Sequence, residues 1–185
     1  MVMKVKNYTL HGIGIIQNVI TGKVFLYLPE NLIIDHDKQK INIKEELGVF
    51  EKAVEKSKLQ IKALMDRIKG RISEKDLDIF NSHLLILEDP IFLSKVKEYI
   101  NNDELSAENA VKKAENYLED LFSHVESNYI RLRINDIKDV CDRVIRNILD
   151  KPRPDLSSLP YPAIVVAEDL TPSDTAILDL SLIHI

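Results

Sequence analysis

The segment Ala163-Ile164-Val165-Val166-Ala167 has the apolar, β-branched character of a short buried strand. A lone strand leaves its backbone N–H and C=O groups without partners, so another strand must pair with it. The only other strand-like region of the chain is residues 9–34, where TLHGIGIIQNVITGKVFLYL mixes β-branched residues with Gly12, Gly14 and Gly22. Ile13, Ile15 and Ile16, then Val24, Leu26 and Leu28, alternate as half-buried strands do; Pro29 ends the run and Ile33-Ile34 suits a further short strand. Pairing the two ends turns everything between about Asn42 and Asp150 into an insertion.

That insertion has a helical period. Ile43, Leu47, Phe50, Val54, Ile61, Leu64 and Ile68 mark one long amphipathic helix, and Gly70 suits its C-terminal cap. Ser73, with Asp76 three residues on, opens a second helix that runs to about Leu87. Glu88-Asp89-Pro90 punctuates the pattern, since Asp suits an N-cap and Pro the first helical position, so a third helix spans about Pro90 to Ile100. After the turn at Asn101-Asn102-Asp103, Ser106 caps a fourth helix with the stripe Ala110, Ala114, Leu118, Leu121 and Val125. The stripe then slips in phase to Ile130, Ile134, Ile137, Cys141, Val144 and Ile148. One straight helix cannot hold both series on a single face, which predicts a bend or break between about Glu126 and Tyr129. Lys151-Pro152-Arg153-Pro154 stops the helical region, and Thr171 or Ser173 caps a last short helix through Ile177 and Leu180.

The predicted fold class is α+β or α/β: an α-helical bundle inserted into a small α/β subdomain whose strands come from both ends of the chain. The boundaries fall at 1–35, 36–150 and 151–185. At 185 residues the chain buries a substantial core, and its single cysteine, Cys141, excludes an internal disulfide and a cysteine metal cluster. Cys141 sits on the apolar series as a small hydrophobe. Twenty-five basic against 30 acidic residues leave a net charge of -5, which argues against nucleic acid and for a partner with a basic face. Neither a secretory leader nor a membrane span is evident, so a cytoplasmic location is expected.

The usual catalytic patterns are absent: no phosphate loop, no GxSxG, no HExxH, and the five histidines show no ligand spacing. His83 alone lies beside a helix break and acids. Asp78 to Ile100 therefore offers an edge presenting His83, Leu85, Ile86, Asp89 and Phe92 to a partner, although the same residues also suit an ordinary helical corner with a solvated acidic turn. Arg131 and Arg133 stand at helical spacings from Asp136 and Asp139, which suits exposed ion pairs, or an Arg133 turned toward an anionic group.

Phe80, His83 and LLILEDP, then RLRINDIKDVCDRVIRNIL at Arg131 to Leu149 and EDLTPSDTAILDL at Glu168 to Leu180, resemble the amino-terminal part of enzyme I of the phosphoenolpyruvate-dependent sugar phosphotransferase system. GIGIIQNVITGKVF resembles that family's first strand and glycine turn. The resemblance implies a transferase that takes a phosphoryl group from phosphoenolpyruvate onto a histidine of the α/β subdomain and passes it to the phosphocarrier HPr. In that family the helical subdomain docks HPr, and a separate carboxy-terminal barrel holds phosphoenolpyruvate and magnesium and forms the homodimer. Carried over, Glu74, His83, Leu85, Ile86, Asp89 and Phe92 line the HPr surface, Arg133 stands near the transferred phosphate, and Thr175 hydrogen-bonds the acceptor histidine.

The chain departs from that pattern after Leu180, where the family continues through glycines into a Gly-Gly-x-Thr-Ser-His motif and this sequence has SLIHI. His184 lacks the preceding Thr-Ser and is not taken as the phosphoacceptor. The expectation is an amino-terminal fragment, monomeric, without cofactor or catalytic residue of its own, that docks HPr. The alternative is a non-catalytic helical adaptor for an unrelated protein.

Overall fold

The structure is a computed structural model that describes residues 19, 21–28, 32, 41–123, 128–154, 156–159 and 162–178, with the backbone alone at 75, 76, 123, 128–132 and 158. Two strands, β1 (Lys23–Tyr27) and β2 (Ala163–Ala167), pair in parallel, with Val24 opposite Ile164 and Tyr27 opposite Ala167. Parallel strands need a crossover, and here it is the whole helical block. The two ends of the chain do pair, as the unpartnered strand requires.

The alternation in β1 is real but its sense is reversed. Val24, Leu26 and Leu28, expected to face inward, are exposed, while Tyr27 is buried. The phenol explains the choice, because its hydroxyl reaches a buried carboxylate on the last helix, a bond no aliphatic side chain makes. β2 is likewise half-buried rather than buried, with Val166 exposed.

Among the described residues five helices form the insertion: α1 (Ile43–Ile68), α2 (Glu74–Glu88), α3 (Pro90–Asn102), α4 (Ala107–Ser123) and α5 (Asn128–Leu149). Asn42 caps α1 by accepting from the Glu45 N–H, and Gly70 just beyond its end takes φ +80°, a conformation that costs glycine little. The seven-residue gap in the α1 stripe, between Val54 and Ile61, is filled by Ser57. Its hydroxyl donates to the Ala53 carbonyl at 2.7 Å and accepts from Asn147 Nδ2 at 2.8 Å, so a polar residue sits in the core at no net loss.

Asp89 caps α3 as its spacing predicts, accepting from the N–H groups of Ile91 (2.7 Å) and Phe92 (3.1 Å). The phase slip separates α4 from α5, which pack against each other with Lys138 and Glu119 paired at 2.7 Å. Phe50, Ile61, Phe80, Leu87, Phe92, Val96, Ile100, Val111, Val140 and Val144 make the continuous core. Phe50 and Phe92 meet edge to face at 6.4 Å, each buried ring contributing on the order of 2 kcal/mol. Leu121, expected on the α4 core stripe, is exposed. The last helix, α6 (Pro172–Ile177), begins with Thr171 and Asp174 in a reciprocal capping box and Pro172 in the first turn. Gly12, Gly14, Ile13, Ile15, Ile16, Ile33, Ile34, Val125, Leu180 and His184 lie outside the described residues.

Candidate functional site

The α2–α3 corner divides the predicted docking residues into two groups. Glu74, Leu85 and Asp89 are exposed and Ile86 is half-buried, so these four do share the surface. Leu85 is 68% exposed, and Ile91, which the sequence pattern did not single out, is 62% exposed. Glu74, Asp78, Glu88 and Asp89 are exposed along α2 and at its junction with α3, with Lys95 and Lys97 following further along α3. Phe92 does not face solvent: the Asp89 cap fixes the first turn of α3 and turns Phe92 into the core against Phe50.

His83 also departs from the expected surface position. It is 0% exposed, with its ring edge to face on Phe80 at 5.7 Å. Nε2 lies 3.5 Å from Asp136 Oδ1 and Nδ1 3.8 Å from Asp139 Oδ2, too far for full hydrogen bonds, and neither nitrogen has a partner among the described residues. The reason is helical geometry: with α5 packed on α2, the face carrying Phe80, His83 and Leu87 becomes the interface, and position 83 sits inside it. Arg133, on α5, is half-exposed and approaches Asp136 Oδ2 at 3.4 Å, the expected i, i+3 pair. The Arg131 side chain lies outside the described residues.

The densest polar cluster lies at the other end of α5. Arg153, flanked by Pro152 and Pro154, donates to Asp142 Oδ2 at 2.6 Å, to Asp174 Oδ2 at 2.7 Å and to the Thr171 hydroxyl at 2.9 Å. Burial works against its charge, and Asp142, Asp139 and Asp174 more than offset that, pushing the guanidinium well above its ordinary pKa. Asp174 is buried, which by itself favours the neutral acid. Arg153, the Tyr27 hydroxyl and Thr171 outweigh this and hold the carboxyl below its usual range. Ser173 donates to Asp139 Oδ2 at 2.8 Å and accepts from Arg143 Nη2 at 2.9 Å. Thr175, predicted to support a phosphohistidine, is exposed, and its hydroxyl points back to the carbonyls of Thr171 and Pro172.

Sequence reasoning missed this network. A cap at Thr171 or Ser173 was visible, but nothing in the chain's order announces that Asp174 closes the box or that Arg153 and Tyr27 converge on the same carboxylate. Cys141 is fully buried as expected, with burial pushing its thiol pKa up.

The family described as "PEP-utilising enzyme, N-terminal" matches residues 11–133. Phosphoenolpyruvate-protein phosphotransferase of Bacillus subtilis (strain 168) is 34% identical over 171 residues, covering 92% of this chain and 30% of that protein. The protein of the same name from Staphylococcus epidermidis is 29% identical over 175 residues, covering 95% of this chain and 31% of its own length. Among solved structures, the solution structure of the enzyme I protein nEIt superposes with a TM-score of 0.75 at 31% identity, covering 87% of this chain and 65% of that one. The chain thus spans just under a third of the length of these curated relatives. An adaptor without phosphotransferase relatives is excluded by these matches.

Proposed function

Because this chain belongs to the family of PEP-utilising enzymes, N-terminal part, we propose that it is the amino-terminal portion of a phosphoenolpyruvate-protein phosphotransferase and that its helical block docks the phosphocarrier HPr. The observation that carries the docking site is the α2–α3 corner. Leu85 and Ile91 stand exposed there in the stretch that also exposes the carboxylates Glu74, Asp78, Glu88 and Asp89. Apolar anchors with a charged surround suit recognition of a basic protein face, the carboxylates steering encounter and the apolar groups holding the complex.

In this reading the phosphoryl group passes between two histidines: a P–N bond breaks on the enzyme as another forms on HPr. Arg133, half-exposed on α5, meets the phosphate's charge with a planar fork of donors. Thr175 keeps its oxygen lone pairs available to accept from the phosphoacceptor imidazole. His83 contributes from beneath the surface, positioning α2 on α5 rather than touching the carrier. Phosphoenolpyruvate, magnesium and homodimer formation belong to the remainder of the longer protein, and the setting is the cytoplasm. Among the described residues no three His, Cys, Asp or Glu side chains gather to hold a metal ion. No helix among the described residues is long and apolar enough to cross a membrane.

Calorimetric titration of the chain with unphosphorylated HPr tests the proposal. Binding is expected, weakening as salt rises from about 0.05 to 0.5 M because screening shortens the reach of the carboxylates. Absence of binding at low salt contradicts it.

A further inference from the structure

Gln60 to Arg67 of α1, Asp139 to Asn147 of α5, the Pro152–Pro154 link and α6 enclose a cavity of about 360 Å³. Arg67, Arg143, Arg146 and Arg153 stand on its wall, against the two carboxylates Asp139 and Asp174. Asp142, behind them, pairs with Arg146 at 2.8 Å and Arg153 at 2.6 Å. Among the described residues the wall and Asp142 bring together four cations and three anions, in a chain whose net charge is -5.

Among the described residues, Arg143 and Arg67 are the cations of this set without a carboxylate partner. Arg143 donates only to neutral acceptors, Gln60 Oε1 at 3.3 Å and Ser173 Oγ at 2.9 Å, and no carboxylate lies within 4 Å of it among the described residues. Its buried Nε finds no acceptor there. Burial lowers its pKa, with Asp139 and, more weakly, Asp142 and Asp174 opposing the shift and Arg153 adding to it. Arg67, exposed at the rim, has no ion pair among the described residues. Asp139 and Asp174, by contrast, already accept from Ser173, Tyr27, Thr171 and Arg153. What Arg143 and Arg67 lack, among the described residues, is a negatively charged acceptor of their own. Leu64 and Ile177 add apolar wall suited to a short carbon skeleton.

We infer that this cavity binds a small organic anion bearing a carboxylate or a phosphate, with the half-buried Arg143 as the anchor and Arg67 as the rim contact. The site is separate from the α2–α3 corner and does not depend on docking. An occupant would tie α1 and α5 to α6 and so stiffen the junction between the helices and the strand-bearing ends.

Arginine Nε–H signals in ¹H–¹⁵N spectra of the chain read the site directly. Sodium phosphate and sodium succinate are titrated separately, with sodium chloride at matched ionic strength as reference. The Arg143 Nε–H signal is expected to move along a saturating curve with at least one of the two, and the stronger arm identifies the headgroup preferred. Arg67→Ser, at an exposed position, should keep the fold and weaken that response about threefold, the scale of an exposed ion pair. An Arg143 signal that stays put, that follows chloride equally, or that responds unchanged in Arg67→Ser overturns the site.

Discussion

The Tyr27 hydroxyl donates to Asp174 Oδ1 over 2.8 Å, joining residues 147 positions apart. On its other oxygen, Asp174 takes Arg153 at 2.7 Å and closes the capping box of α6. One carboxylate therefore holds β1, the proline-flanked link and α6 together. Tyr27→Phe leaves the Arg153 pair in place and should cost about 1.5–3 kcal/mol, the value of a hydrogen bond to a charged group. Asp174→Asn strands the Arg153 charge as well and should cost about 3 kcal/mol or more. Urea unfolding of both variants checks the order.

The same pair sets the pH response. The Asp174 carboxyl is depressed in the folded state, so its contribution is present above the ordinary carboxylate range and is lost as pH falls through the depressed value. Tyr27 is shifted up, first by burial and then by Asp174, so its contribution is present below the ordinary tyrosine value of about 10 and is lost as pH rises beyond it. Thermal unfolding followed across pH should show the acid limb flattened in Asp174→Asn and the alkaline limb flattened in Tyr27→Phe.

His83 is a core residue. Diethyl pyrocarbonate should leave it unmodified in the folded chain and modify it after denaturation, as peptide mass mapping would show. His83→Ala empties a fully buried site between α2 and α5 and should cost about 2–4 kcal/mol, in the range of core truncations. Rapid modification in the native state would contradict the burial.

Asp89 satisfies two N–H groups of α3. Asp89→Ala should cost about 1 kcal/mol in denaturant unfolding, whereas Asp89→Asn or Asp89→Ser should recover most of it. A loss equal in all three variants would mean that charge, not capping, is what matters.

Helix order and ends were legible because they rest on local chemistry: Asp89-Pro90, Gly70 and Thr171-Pro172 each carry their own geometric reason. The pairing of the two ends was legible because a lone strand at 163–167 has few options. Sidedness was harder to read. Leu121 and the Val24, Leu26, Leu28 series match a core period but lie outside, while His83 and Phe92 lie inside, because the choice between faces is made by neighbouring helices and by polar contacts at long range. The Arg153–Asp174–Tyr27 cluster was illegible for the same reason: its three members come from separate segments, and no spacing rule links them.

The central claim, that the α2–α3 corner docks the phosphocarrier, is tested most directly by amide shift mapping of the ¹⁵N-labelled chain titrated with HPr, beside the variant Leu85→Ser. Leu85 is exposed, so that substitution should change stability by no more than about 0.5 kcal/mol. The account predicts the largest shifts in Asp78–Lys95, with affinity reduced at least about fivefold in Leu85→Ser, an effect of roughly 1 kcal/mol. Shifts centred elsewhere, or full affinity in the variant, would contradict it.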